Sequence, residues 1–119
     1  MDTELLVLIF KFFVGHALVD FALQPTSMAV GKNRNRTFDA NPDERKYFPN
    51  WYYWLTAHAL IHGGAVWLIT NNPILGIVEV VLHWIIDFAK CENWTNIHVD
   101  QLLHVVCKVF YIFILKLWI

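Results

Sequence analysis

Hydrophobic residues along this 119-residue chain gather into four long runs, separated by one extended polar stretch and two short breaks. The first run extends from about Leu5 to Gln24 and stops at Pro25, whose ring cannot continue the helical hydrogen-bond ladder. The second opens with Trp51, Tyr52, Tyr53 and Trp54, an aromatic belt suited to the headgroup level of a bilayer, and ends near Thr70. Asn71, Asn72 and Pro73 form a tight turn, and a third run follows from Pro73 to Lys90. After a short connection over Cys91–Ile97, the fourth runs from about Val99 to the C-terminus, with Trp67 and Trp118 placed for the opposite interface. Each run is about 18–21 residues long, enough to cross a hydrocarbon core of roughly 30 Å. The pattern predicts an all-α fold, an integral membrane four-helix bundle. It forms a single domain over residues 1–119, with helices at about 5–24, 51–70, 73–90 and 99–119 and a polar loop at 25–50. The first run is expected to be retained rather than cleaved, because Asp2 and Glu4 lead it and no small-residue cleavage site follows.

The polar positions inside these runs repeat one spacing: His16/Asp20, His58/His62, His83/Asp87 and Asp100/His104 are each four residues apart. Side chains four apart share a helix face, so each pair can point into the bundle. Glu79 adds a further turn to the third stripe. At about 1.5 Å of rise per residue, Asp20, Asp87 and Asp100 lie roughly 5–8 Å inside their helices from the ends that share the larger loops, with most of the histidines roughly 10–13 Å in. The sequence thus predicts a single polar His/Asp layer near one membrane face, carboxylates toward the water and imidazoles beneath. Each aspartate costs about 2.5–3.5 kcal/mol to insert, so an arrangement of this kind requires a compensating interaction.

Composition narrows the function classes. With 57% hydrophobic and 16% charged residues and a formal net charge of -1, the chain has no basic stripe for nucleic acid. Cys91 and Cys107 lack the spacing of a thiolate zinc site and read as packing residues. Lys32, Arg34, Arg36, Arg45 and Lys46 crowd the 25–50 loop, which the positive-inside bias assigns to the cytoplasm, with both termini on the other side of a cell membrane.

The chemistry that mixed imidazole and carboxylate groups serve best is metal binding. His16, Asp20, His58, His62, His83, Asp87, Asp100 and His104 are candidate ligands for one or two divalent transition ions, zinc foremost. Glu79 and Asp20 are candidate catalytic bases, and Gln24, Lys32, Lys90 and Gln101, around the aqueous mouth, are candidate substrate-binding groups. The function this pattern suggests is a membrane-embedded metal-dependent hydrolase acting on a lipid or lipid-linked phosphate or ester. A di-iron oxidase or hydroxylase is the alternative enzyme. A proton or divalent-metal transporter or channel is the alternative from another class, completed if need be by a homo-oligomer. A further alternative is an interhelical hydrogen-bond network that only staples the helices.

The residues also carry a family likeness. Gly15-His16 through Asp20, Leu23-Gln24 with Lys32 downstream, His58 to His62, His83 to Asp87 with Lys90, and Asp100-Gln101 to His104 resemble the small bacterial and phage membrane proteins of "domain of unknown function 3307". The likeness covers nearly the whole chain and implies a bacterial inner membrane or phage-encoded setting. The mixed-charge stretch Asn35–Phe48 looks like an insertion relative to that pattern.

Overall fold

The computed structural model describes residues 2–36 and 48–118, Trp118 by its backbone alone, and is all-helical with no strand over them. Helix α1 spans Thr3–Ala17 and passes into a π-helical turn at Leu18–Ala22; α2 is Thr26–Gly31, α3 Trp51–Thr70, α4 Pro73–Cys91 and α5 Ile97–Trp118. The polar loop therefore contains a short helix of its own. Its charged residues Asp39, Asp43, Glu44, Arg45 and Lys46 lie outside the described residues, as does most of the stretch read as an insertion.

Local chemistry accounts for the helix ends. Asp2 caps α1 by accepting from the Leu5 amide at 2.6 Å. Asn71 closes α3 in the left-handed region at φ 54°, which asparagine tolerates better than most residues. Asn72 then caps α4, its Oδ1 accepting from the amides of Ile74 at 3.0 Å and Leu75 at 3.2 Å, while Pro73 fills the first helical position, where its missing N–H costs nothing. Asn96 accepts from Val99 at 2.9 Å at the start of α5.

The four long helices form a ring. Helices α3 and α4 share the most extensive contact, α4 also packs on α5 and α1 on α3, while α1 and α5 touch least. Two glycines set the α3–α4 approach. A Cβ on Gly63 would lie 2.6 Å from the Gly76 carbonyl oxygen and collide with Val80, and one on Gly76 would lie 2.8 Å from the Gly63 oxygen. Gly64 faces open space and takes no part. Helix α2 lies against α3, where a side chain on Gly31 would fall on the Trp54 indole.

The polarity of the molecule is inverted. Asp20, Lys32, His58, His62, Glu79, His83, Asp87, Asp100, His104 and Lys108 are all buried, whereas Phe10, Phe13, Phe21, Leu68, Ile77, Ile85, Leu102 and Phe113 are more than half exposed. One apolar cluster, Phe12, Val66, Leu75 and Tyr111, fills the part of the ring remote from the loops. By length and composition, two stretches, Thr3–Ala22 and Ile97–Leu117, are apolar enough to cross a membrane. Helices α3 and α4 were expected to do the same and fall short, because the aromatic belt and two histidines dilute α3 and Glu79, Asp87 and Lys90 charge α4.

Candidate metal centre

Three tiers of polar side chains are stacked inside the ring, from its loop-side end down to the apolar cluster. In the middle tier Asp20, His58, His62 and His83 each bring one ligand-grade atom to within 4.8 Å of the others. Asp20 Oδ1 lies 3.2 Å from His58 Nε2 and 3.3 Å from His62 Nε2. The His62 and His83 rings stack with centroids 3.6 Å apart, and His104 stacks on the other side of His83 at 4.2 Å. The close glycine crossing of α3 and α4 makes the first stack feasible, since it lets the two imidazole-bearing backbones meet.

Asp20 reaches this tier from the π-helical turn. A π-turn widens the helix by one residue and recurs at functional sites, and here it delivers the carboxylate inward among the imidazoles. Gln101 fixes the outcome: its amide donates to Asp20 Oδ2 at 2.9 Å and its oxygen meets His16 Nε2 at 2.8 Å, so Oδ1 is the oxygen left facing His58 and His62.

The upper tier is a charged cap. Lys32 donates to Asp87 at 2.6 Å and also to Gln24, whose amide in turn donates to the Asp20 carbonyl at 3.0 Å. Lys90 lies 3.0 Å from Asp87 and 3.5 Å from Asp100. The lower tier is Glu79, which accepts from Lys108 at 2.7 Å and from the Tyr111 hydroxyl. Glu79, His83 and His104 form a second ligand-grade group that shares His83 with the first.

Set against the expected single layer, this arrangement differs in three ways. The eight candidate ligands separate: Asp20, His58, His62, His83 and His104 fall within the two groups, while His16, Asp87 and Asp100 do not. Asp87 and Asp100 instead neutralise lysines, and His16 is tied to Gln101. Asp20 sits among the imidazoles rather than above them. Of the candidate substrate-binding groups, Lys32 is only 3% exposed and is committed to Asp87 and Gln24, so it closes the mouth instead of lining it. Gln24, Lys90 and Gln101 likewise hold protein groups. Sequence reasoning missed Lys108 and Tyr111, although a signal existed: Lys108 follows His104 by four residues and Tyr111 follows it by three more, on the same stripe.

Outside the tiers, Arg34 grips Glu92 through two hydrogen bonds, one of them at 3.0 Å, and Asn35 adds a third at 3.2 Å. Hydrogen bonding to the Arg34 guanidinium holds the Glu92 carboxyl below its ordinary range and raises Arg34 in return. This clasp ties the segment after α2 to the end of α4.

The middle tier fits a transition ion. Tetrahedral zinc with bonds of about 2.0–2.1 Å sets its donors roughly 3.3–3.4 Å apart, and the two Asp20–imidazole separations already have that length. Both nitrogens of His83 and Nδ1 of His58 and His104 are buried without a hydrogen-bond partner. Buried polar atoms are nearly always satisfied, so this concentration of orphans points to a ligand. The fold and site define an all-helical protein that buries a histidine–carboxylate cluster inside an apolar exterior. The chain belongs to the family described as "Protein of unknown function (DUF3307)", whose model matches residues 8–118. It matches no curated protein and no solved structure.

Proposed function

We propose that this chain is a four-helix membrane protein of the bacterial inner membrane, with its 25–50 loop cytoplasmic, and a metal-dependent hydrolase of a lipid or lipid-linked phosphate or ester. The observation that carries the reading is the middle tier. Asp20, His58, His62 and His83 are buried, bring one ligand-grade atom each within 4.8 Å of the others, and include an imidazole with neither nitrogen satisfied. Zinc is the ion this donor set suits best, and what it supplies is Lewis acidity and a lowered pKa for water.

The surrounding residues have separable tasks. Gln101 orients Asp20, the kind of outer contact on which metal affinity depends. Glu79 is held from two sides by Lys108 and Tyr111, which favours His104 as the proton acceptor, since its Nδ1 is unpartnered and its ring lies against His83. The Lys108 ammonium beside Glu79 also opposes a second cation at Glu79, His83 and His104, which speaks for one ion and against a di-iron oxidase. A conduit is supported less: the polar column ends at Tyr111, against Phe12, Val66 and Leu75.

Elemental analysis of detergent-purified protein never exposed to chelator tests the reading. The parent is expected to hold about one equivalent of zinc, and Asp20→Asn and His58→Ala to lose most of it, with hydrolysis of a lipid phosphate or ester lost in parallel. A parent with only traces of any transition metal removes the basis for the hydrolase.

A further inference from the structure

Between α1 and α5, the neighbouring long helices with least mutual contact, lies a cavity of about 570 Å³, within the roughly 300–1,000 Å³ typical of small-molecule sites. It extends along α1 and the π-helical turn from Leu5 to Phe21, roughly 24 Å at about 1.5 Å per residue. Its two ends differ in chemistry. Leu5, Ile9, Phe13, Val109 and Ile112 make the part remote from the loops wholly apolar, while the loop-side part adds His16, Gln101 and His104 among Ala17, Phe21 and Val105, with Lys108 one turn deeper. No carboxylate lines it among the described residues. His104 is 2% exposed, and its Nδ1, like that of His16, is buried without a hydrogen-bond partner.

We infer that this groove is the binding slot of a lipid-type amphiphile with a phosphate head group. The chain lies along the apolar walls and the head group at His16 and His104. The polarity gradient of the slot is that of a lipid in the loop-side leaflet, head toward the loops and tail toward the midplane. Its polar lining presents the unpartnered Nδ1 atoms of His16 and His104 and no carboxylate among the described residues, a donor set suited to a phosphate oxygen. The slot is also continuous with the centre, because His104 both lines it and stacks on His83. Entry from above is barred by the cap of Lys32, Asp87, Lys90 and Asp100, so the side opening is the route to the imidazoles. The inference rests on the hydrolase reading and names its substrate class and direction of entry. It also gives His16 a contact with the substrate, where the sequence made it a metal ligand.

The test is photolabelling of the full chain in phosphate-free dodecyl maltoside micelles that carry a trace of phosphatidic acid with a diazirine midway along one acyl chain. Label is expected to concentrate on Ile9, Phe13 and Val109, and to be competed by unlabelled phosphatidic acid but not by added neutral diacylglycerol. Val109→Trp and Ile9→Trp, which fill the slot from opposite walls, are each expected to cut labelling several-fold while zinc content stays at the parent level. Label spread evenly over outward positions such as Leu68 and Ile77, or equal competition by diacylglycerol, overturns the slot. Metal-free protein that still labels selectively keeps the slot and removes the hydrolase, whereas zinc-loaded protein labelled evenly does the reverse.

Discussion

Replacing Lys108 with methionine isolates the lower tier. Lys108 Nζ lies 2.7 Å from Glu79 Oε1, and the two residues are 9% and 1% exposed. Methionine keeps the length of the stem and removes the charge, leaving the Glu79 carboxylate with the Tyr111 hydroxyl as its remaining donor. Breaking a buried pair by deleting one partner costs about 3–5 kcal/mol, whereas replacing both partners with groups that pack is close to neutral. At roughly 4 °C of melting temperature per kcal/mol for a chain of this length, Lys108→Met is expected to melt roughly 12–20 °C below the parent. The double variant Lys108→Met/Glu79→Gln should recover most of that loss. Circular dichroism at 222 nm during heating in detergent reads both. Lys116→Met serves as control, since its ammonium is 43% exposed and 4.0 Å from Asp2, and such pairs contribute about 0–1 kcal/mol. If the single variant melts within about 2 °C of Lys116→Met, which corresponds to roughly 0.5 kcal/mol, the buried pair does not exist as described.

Other consequences can be checked in the same preparations. Gln101→Ala frees Asp20 Oδ2 and is expected to weaken zinc affinity about 10–100-fold by competition titration, with helix content unchanged. Gly63→Ala drives a methyl into Val80 and the Gly76 carbonyl, an overpacking worth about 1–3 kcal/mol, and should also reduce zinc occupancy by parting His62 from His83. Gly64→Ala, with open space around it, should leave both readings at or slightly above the parent level. The Glu92 carboxyl is depressed by Arg34, so the stability of their clasp is present above the ordinary glutamate range and is lost as pH falls through the depressed value. Protection of the Asn35 side-chain amide, taken as exchange relative to the intrinsic rate at each pH, should therefore fall in acid in the parent and be low at every pH in Glu92→Gln.

The all-α class was readable because periodic apolar runs and their punctuation agree: Pro25 ends a run, and Asn72-Pro73 begins one with a cap and a first-turn proline. The histidine stripes were readable for a different reason. Imidazoles at a spacing of four on an apolar helix share one face, and in a molecule with an apolar exterior that face turns inward. The partition of the carboxylates was not readable. Asp20 and Asp87 have the same sequence relation to a histidine four residues earlier, yet one joins the imidazoles and the other binds lysine. The difference comes from a π-turn, which leaves no periodic trace, and from Lys32, which arrives from α2 across a separation of 55 residues. Lys108 was overlooked because a lysine within an apolar run suggests snorkelling, whereas here Glu79 receives it inside the ring.

The Asn71–Asn72–Pro73 turn bears on the order in which the centre comes together. It joins α3 to α4, and that one hairpin owns His58, His62 and His83, three of the four middle-tier donors. Closing a short loop is entropically cheap, and local pairings form ahead of distant ones. The imidazole trio thus belongs to one local hairpin, whose closure does not require α1. Asp20 alone must be brought from outside the hairpin, so its arrival reports that the ring has closed in the right register, and a misdocked α1 leaves three imidazoles without their anion.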